Sequence, residues 1–147
     1  MASEDETLRR LTVEIQILES TAEALQARIN QVFAALTELR VANATLEGLE
    51  KERKGSPLFV PIGGGSYIKA KLESFERVIV GVGAGIAIEK TMKEAKENVG
   101  KRLTELENTG VALQQQLTQV LEKIRDGRTT FQDLLAKINE REKSKSV

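Results

Sequence analysis

The sequence predicts an α+β, mainly α protein: a long antiparallel two-helix coiled coil whose helices are joined by two β-hairpins. Three observations carry this. A heptad pattern of apolar residues fills the N-terminal third, a second of the same length fills the C-terminal third, and the period drops to two between them.

The first seam reads Leu8, Leu11, Ile15, Leu18, Ala22, Leu25, Ile29, Val32, Leu36, Leu39, Asn43 and Leu46, in alternating steps of three and four. Only Asn43 among these is polar, and the positions between them are largely Glu, Gln, Arg, Thr and Ala. A repeat of 3.5 residues sustained this long specifies a left-handed coiled-coil seam. Ser3 and Glu6 have the spacing of a capping box at the helix start. Gly55-Ser56-Pro57 stops the helix after the charged run Glu50–Lys54, so the helix is expected over 3–54.

The second seam runs Val99, Leu103, Leu106, Gly110, Leu113, Leu117, Val120, Ile124, Gly127, Phe131, Leu134 and Ile138. Thr91 with Glu94 offers a second capping box, and the helix is expected over 90–143. Its register extends back to Met92 with Lys96 as a fault. Each seam spans about 60 Å at the helical rise. Equal lengths predict that the two pair antiparallel within one chain. Aligning Leu46 with Val99 and Leu8 with Ile138 sets Gly110 near Leu36 and Gly127 near Leu18, as either hinges or tolerated gaps.

Residues 57–88 alternate. Leu58, Val60 and Ile62 share one face of a strand; Ile68, Ala70 and Leu72 share one face of the next; Val78, Val80 and Val82 alternate in a third, and Ile86 and Ile88 in a fourth. Gly63-Gly64-Gly65 and Gly83-Ala84-Gly85 are the hairpin turns, with Glu73 to Glu76 between the hairpins. Pro61 cannot donate to a ladder, so its strand is expected at an edge or with a bulge there. Short apolar strands beside a two-helix stalk cannot bury both faces and leave their edges open. They predict assembly with other subunits through Val60, Ile62, Ile68, Ala70, Leu72, Val78, Val80, Val82, Ile86 and Ile88.

Composition narrows the function. The 147 residues fit a single domain over 1–147. Lys plus Arg and Asp plus Glu balance at 22 each, which gives no bulk attraction to nucleic acid or anionic membrane. Four Phe, one Tyr and no Trp leave few large anchors for a thick core. Without Cys or His there are no disulfides, thiolate nucleophiles or imidazole acid–base groups, and most zinc sites are excluded. The acidic start Met1–Glu6 is unlike a signal peptide, and Val78–Ile88 is too short for a membrane helix, so a cytoplasmic protein is expected. Gly63-Gly64-Gly65-Ser66 lacks the Lys-Ser/Thr of a phosphate loop and opens no helix. Val80-Gly81-Val82-Gly83-Ala84-Gly85-Ile86 has Ile86 where a dinucleotide fingerprint needs its third small residue, and no βαβ unit surrounds it. The many Glu read as solvated faces and interhelical pairs. No catalytic, cofactor or metal site is expected, and the chain reads as a non-enzyme.

The middle of the chain carries a resemblance. Val60-Pro61-Ile62-Gly63-Gly64-Gly65-Ser66-Tyr67-Ile68-Lys69-Ala70, followed by Val80-Gly81-Val82-Gly83-Ala84-Gly85 between two heptad helices, resembles the archaeal-type prefoldin alpha subunits over nearly the whole chain. Two hairpins rather than one look like the alpha class. The resemblance implies a hexamer of two alpha and four beta subunits, a double β-barrel platform and six coiled-coil arms. It also implies ATP-independent holding of unfolded proteins at the arm ends and their delivery to a group II chaperonin. Terminal helical turns lack backbone partners and fray, so Leu8, Leu11, Leu134, Leu135 and Ile138 are the candidate client contacts or simply the end of the seam. Leu135 lies outside the strict register and is the best single candidate. The tail Arg141–Val147 reads as a solvated helix end whose cations suit a C-terminus. A coiled-coil scaffold joining defined partners, with no unfolded clients, is the alternative.

Overall fold

A computed structural model describes residues 3–146; Met1, Ala2 and Val147, part of the acidic start and of the solvated tail, lie outside them. The order is helix α1 (Glu4–Glu50), strands β1 (Pro57–Gly63), β2 (Ser66–Lys71), β3 (Arg77–Gly83) and β4 (Ile86–Thr91), then helix α2 (Met92–Lys145). The residues form two compact units, Met1–Phe33 with Asn108–Val147, and Ala34–Glu107.

The first unit is an antiparallel helix pair. Its centre is a cluster of Leu25, Ile29 and Leu113, with Val32, Leu117 and Val120 packed against it. Burying a side chain of this size stabilises by about 1.5–3 kcal/mol, an upper estimate for a chain that is compact when unfolded. The antiparallel pairing also brings together ion pairs at the surface, Arg128 donating to Glu19 and Arg141 donating to Glu4. The capping box forms as spaced: the Glu6 amide donates to Ser3 Oγ (3.2 Å) and the Ser3 amide to Glu6 Oε2 (3.3 Å). Gly127 lets the helices approach. A Cβ there would lie 3.2 Å from Ile15 Cγ1, and one at Gly110 would lie 3.5 Å from Val32 Cγ1. The nearest partners are therefore Ile15 and Val32, each one seam step from the predicted Leu18 and Leu36. The end-to-end alignment could not resolve that step, because a seam position sits between two successive seam residues of the opposite helix.

The second unit holds the other cluster, Leu39, Leu46, Met92, Ala95 and Val99. Here the seam departs from expectation. Ala95 is fully buried, while Lys96 turns outward and donates to Glu50 Oε2 at 2.9 Å. The heptad is thus kept to Met92 by shifting one residue to a small side chain, which spares the lysine from burial. The second capping box also forms: the Glu94 amide donates to Thr91 Oγ1 (3.1 Å) and the Thr91 amide to Glu94 Oε2 (3.3 Å). α1 ends at Glu50, earlier than the expected Lys54. The Arg53 amide donates to Ser56 Oγ, and Gly55 takes φ +83°, so the last charged residues already form the turn into β1.

The strands form two separate antiparallel pairs, β1 with β2 and β3 with β4. Val60 faces Ile68 and Pro61 faces Tyr67, and the register shifts between Pro61 and Gly63, which is the irregularity Pro61 predicted. The second hairpin repeats the first with an offset of 20 residues: Val80 faces Ile88, and the shift falls between Gly81 and Gly83. The turns match in backbone as well. φ is +103°, +58° and +75° at Gly63, Gly64 and Gly65, against +102°, +52° and +74° at Gly83, Ala84 and Gly85.

Candidate functional site

Two surfaces could act on other molecules. The first is the pair of hairpins. Val60, Ile62, Ile68, Val82, Ile86 and Ile88 are exposed, and Ala70 and Leu72 are half-buried. Val78 and Val80 differ from these. They pack, with Phe75, against the Leu39–Met92 cluster of the same unit. Each therefore has a role inside the chain that alternation alone did not reveal.

The opposite faces of the hairpins are also apolar in part. Phe59, Tyr67 and Ile79 are 67%, 62% and 71% exposed. Across the first hairpin Phe59 faces Lys69 and Pro57 faces Lys71; across the second Ile79 faces Glu89. The alternation of β2 sets Tyr67 on this face with Lys69 and Lys71, and the same period-two counting from Pro57 and Arg77 is the signal for Phe59 and Ile79, which the aliphatic faces alone do not include. Exposed strands with apolar side chains on both faces are a template for pairing with further strands.

The second surface lies at the chain ends within the first unit. Leu8, Leu11, Leu134 and Ile138 are half-buried in the seam, and Leu135 is 40% exposed. The structure thus brings the seam leucines together between the helices and leaves Leu135 outside. Glu4 and Arg141 close this end with an ion pair. Val13 and Ile17 are exposed on α1 one turn apart and border a groove with Gln16, Ser20, Thr21 and Ala24. Their i, i+4 spacing outside the seam was the available signal.

Among the described residues no cluster of carboxylates is placed to hold a metal ion, and no helix is long and apolar enough to cross a membrane.

Comparison with known proteins accounts for this architecture. The family profile described as "Prefoldin subunit" matches residues 18–141. The chain belongs to the prefoldin family. Prefoldin subunit alpha of Pyrococcus horikoshii is 32% identical over 125 residues, 84% of each chain. That of Methanosarcina barkeri is 32% identical over 130 residues, 86% of this chain and 83% of that one. Prefoldin subunit alpha 1 of Thermococcus kodakarensis is 33% identical over 105 residues, 71% of this chain and 72% of that one. Among solved structures, filamentous PFD from Methanocaldococcus jannaschii superposes with a TM-score of 0.68 at 27% identity, covering 78% of this chain and 95% of that one. Prefoldins are chaperone subunits that work in hetero-oligomeric complexes, and the two long helices with paired strands between them are the family's architecture in this chain.

Proposed function

We propose that this chain is the alpha-type subunit of a prefoldin that holds unfolded proteins without ATP and without any enzymatic step. Its hairpins join those of beta-type subunits, two alpha with four beta, and the helix ends carrying Leu8, Leu11, Leu134, Leu135 and Ile138 contact the client. The held chain passes to a group II chaperonin in the cytoplasm. The observation that supports this best is the pair of exposed apolar hairpins. Val60, Ile62, Ile68, Val82, Ile86 and Ile88 are left exposed among the described residues, and burial of each is worth about 1.5–3 kcal/mol. Each helix end offers only a small apolar area, so capture rests on several ends engaging one client at raised effective concentration.

The test is to mix the full chain with a beta-type prefoldin subunit, measure the mass of the complex, and then measure aggregation of several unrelated denatured proteins without nucleotide. A complex heavier than either subunit that suppresses aggregation at near-equal molar ratio is the expected result. Assembly without suppression identifies a scaffold instead.

A further inference from the structure

The two hairpins have nearly the same backbone but not the same edges. In the first, the Leu72 amide donates to the Ser56 carbonyl (2.9 Å) and the Gly55 amide to the Leu72 carbonyl (2.6 Å), so both backbone groups of Leu72 point toward the β1 side. Backbone direction alternates along a strand. Ala70 and Ile68 therefore also point inward, and Lys71, Lys69 and Tyr67 point their N–H and C=O groups to the free edge of β2. On β1 the outward residues are their cross-strand partners, Pro57, Phe59 and Pro61. Two of these three lack an N–H, so the free edge of β1 has one donor where that of β2 has three.

The second hairpin is not blunted this way. The Met92 amide donates to the Glu76 carbonyl (3.2 Å), which sets the same alternation. Its outward residues are then Arg77, Ile79 and Gly81 on β3 and Ala87, Glu89 and Thr91 on β4; none is a proline, and of their amides only that of Thr91 is already given, to Glu94 Oε2.

The side chains on the β2 edge are equally specific. Among the described residues neither Lys69 nor Lys71 makes an ion pair; their cross-strand partners are Phe59 and Pro57. In the second hairpin Arg77 and Glu89 compensate each other across the strands at 4.0 Å. A strand added beside β2 places two of its alternate residues directly opposite Lys69 and Lys71, where opposite charges stabilise and like charges oppose pairing.

We propose that the free edge of β2 is the strand-accepting edge of the first hairpin, and that the accepted strand carries carboxylates at two alternate positions opposite Lys69 and Lys71. That strand comes from a different chain and not from a second copy. No strand of this chain has two carboxylates at alternate outward positions; β4 offers Glu89 alone, and β1, β2 and β3 offer none. Blunted at β1 and open at β2, the first hairpin gives the assembly a direction. The proposal rests on the subunit reading above and names the partner's chemistry.

Sedimentation mass of the full chain, alone and mixed with a beta-type prefoldin subunit, tests it in wild type, Phe59→Pro and Lys69→Pro. Both substitutions remove an outward donor and spare the hydrogen bonds within the hairpin. Wild type and Phe59→Pro should reach the same complex mass, and Lys69→Pro should give a lower mass with unchanged helical circular dichroism, since only the second hairpin keeps its open edges. Wild-type complex mass with Lys69→Pro, or equal loss in Phe59→Pro, overturns the edge assignment while leaving the subunit reading intact. Failure of the wild type to assemble overturns both. The double variant Lys69→Glu/Lys71→Glu needs no proline and covers the case in which Lys69→Pro does not fold. At low ionic strength it should weaken the mixed complex about tenfold, the scale of two cross-strand charge pairs reversed. An unchanged affinity overturns the carboxylate assignment, and so does a wild-type complex that forms equally well from this chain alone.

Discussion

Ala84 holds the backbone conformation in the second hairpin turn that Gly64 holds in the first, with φ of +52° and +58°. A left-handed conformation costs a residue with a Cβ about 1–2 kcal/mol, and glycine nearly nothing. A Cβ added at Gly64 would meet nothing within 4 Å, so the effect of alanine there is local to the backbone. Gly64→Ala should destabilise by about 1 kcal/mol in chemical unfolding, and Ala84→Gly should stabilise by a similar amount, because the change in freedom of the unfolded chain offsets part of the strain in both exchanges. Equal stability of Gly64→Ala and wild type would show that the two turns differ in solution.

Gly110 and Gly127 separate packing from bending. Alanine at Gly110 meets Val32 at ordinary contact distance, so Gly110→Ala should gain about 1 kcal/mol of helix stability. Alanine at Gly127 meets Ile15 at 3.2 Å and should gain less, since Ile15 must shift. Thermal unfolding of both variants checks the order. A larger gain at Gly127 would contradict the close approach seen there.

The hairpins answer differently to charge on their two kinds of apolar residue. Val80 packs against the Leu39–Met92 cluster and Ile68 does not. Val80→Asp should lower the unfolding temperature of the chain itself as well as assembly, because it sets a carboxylate against apolar surface. Ile68→Asp should leave the unfolding temperature of the chain alone unchanged and reduce assembly. Unfolding followed by circular dichroism, beside sedimentation mass, distinguishes the two; equal unfolding temperatures would remove Val80 from the intrachain core.

The Glu50 carboxylate, hydrogen-bonded to Lys96, holds its ammonium above the ordinary lysine value of 10.5, against the partial desolvation of the site, with further attraction from the Glu50 and Glu47 charges. The folded value is the higher one. The stabilisation is therefore complete below pH 10.5 and is lost as pH rises through the raised value. Lys96→Met should unfold at a lower temperature than wild type near neutral pH, and the gap should close in strong alkali. A gap that persists there would assign the effect to the lysine stem packing and not to its charge.

The sequence showed the seams almost residue by residue, because the 3.5-residue period is strict and each exception had a small or polar side chain to mark it. Both capping boxes were legible for the same reason: their residue types and spacing are fixed by backbone geometry. Three features were not. The exchange of Ala95 for Lys96 depends on the cost of burying an ammonium against a one-residue shift of register, which period counting does not weigh. The packing of Val78 and Val80 beside Phe75 depends on how the loop after β2 turns. The exposed Phe59 and Ile79 were visible in the alternation but lay on the face opposite the aliphatic one. Among the candidate client residues, spacing correctly separated Leu135 from the seam positions.

Removing residues 1–11 and 135–147 tests the central claim most directly. The truncated chain is mixed with a beta-type subunit, its complex mass is measured, and aggregation of unrelated denatured proteins is followed without nucleotide. Unchanged mass with several-fold weaker suppression is the predicted result, since clients are held at the helix ends and assembly resides in the hairpins. Full suppression by the truncated complex would contradict client binding at the ends, and loss of the complex would move the assembly contacts from the hairpins to the helices.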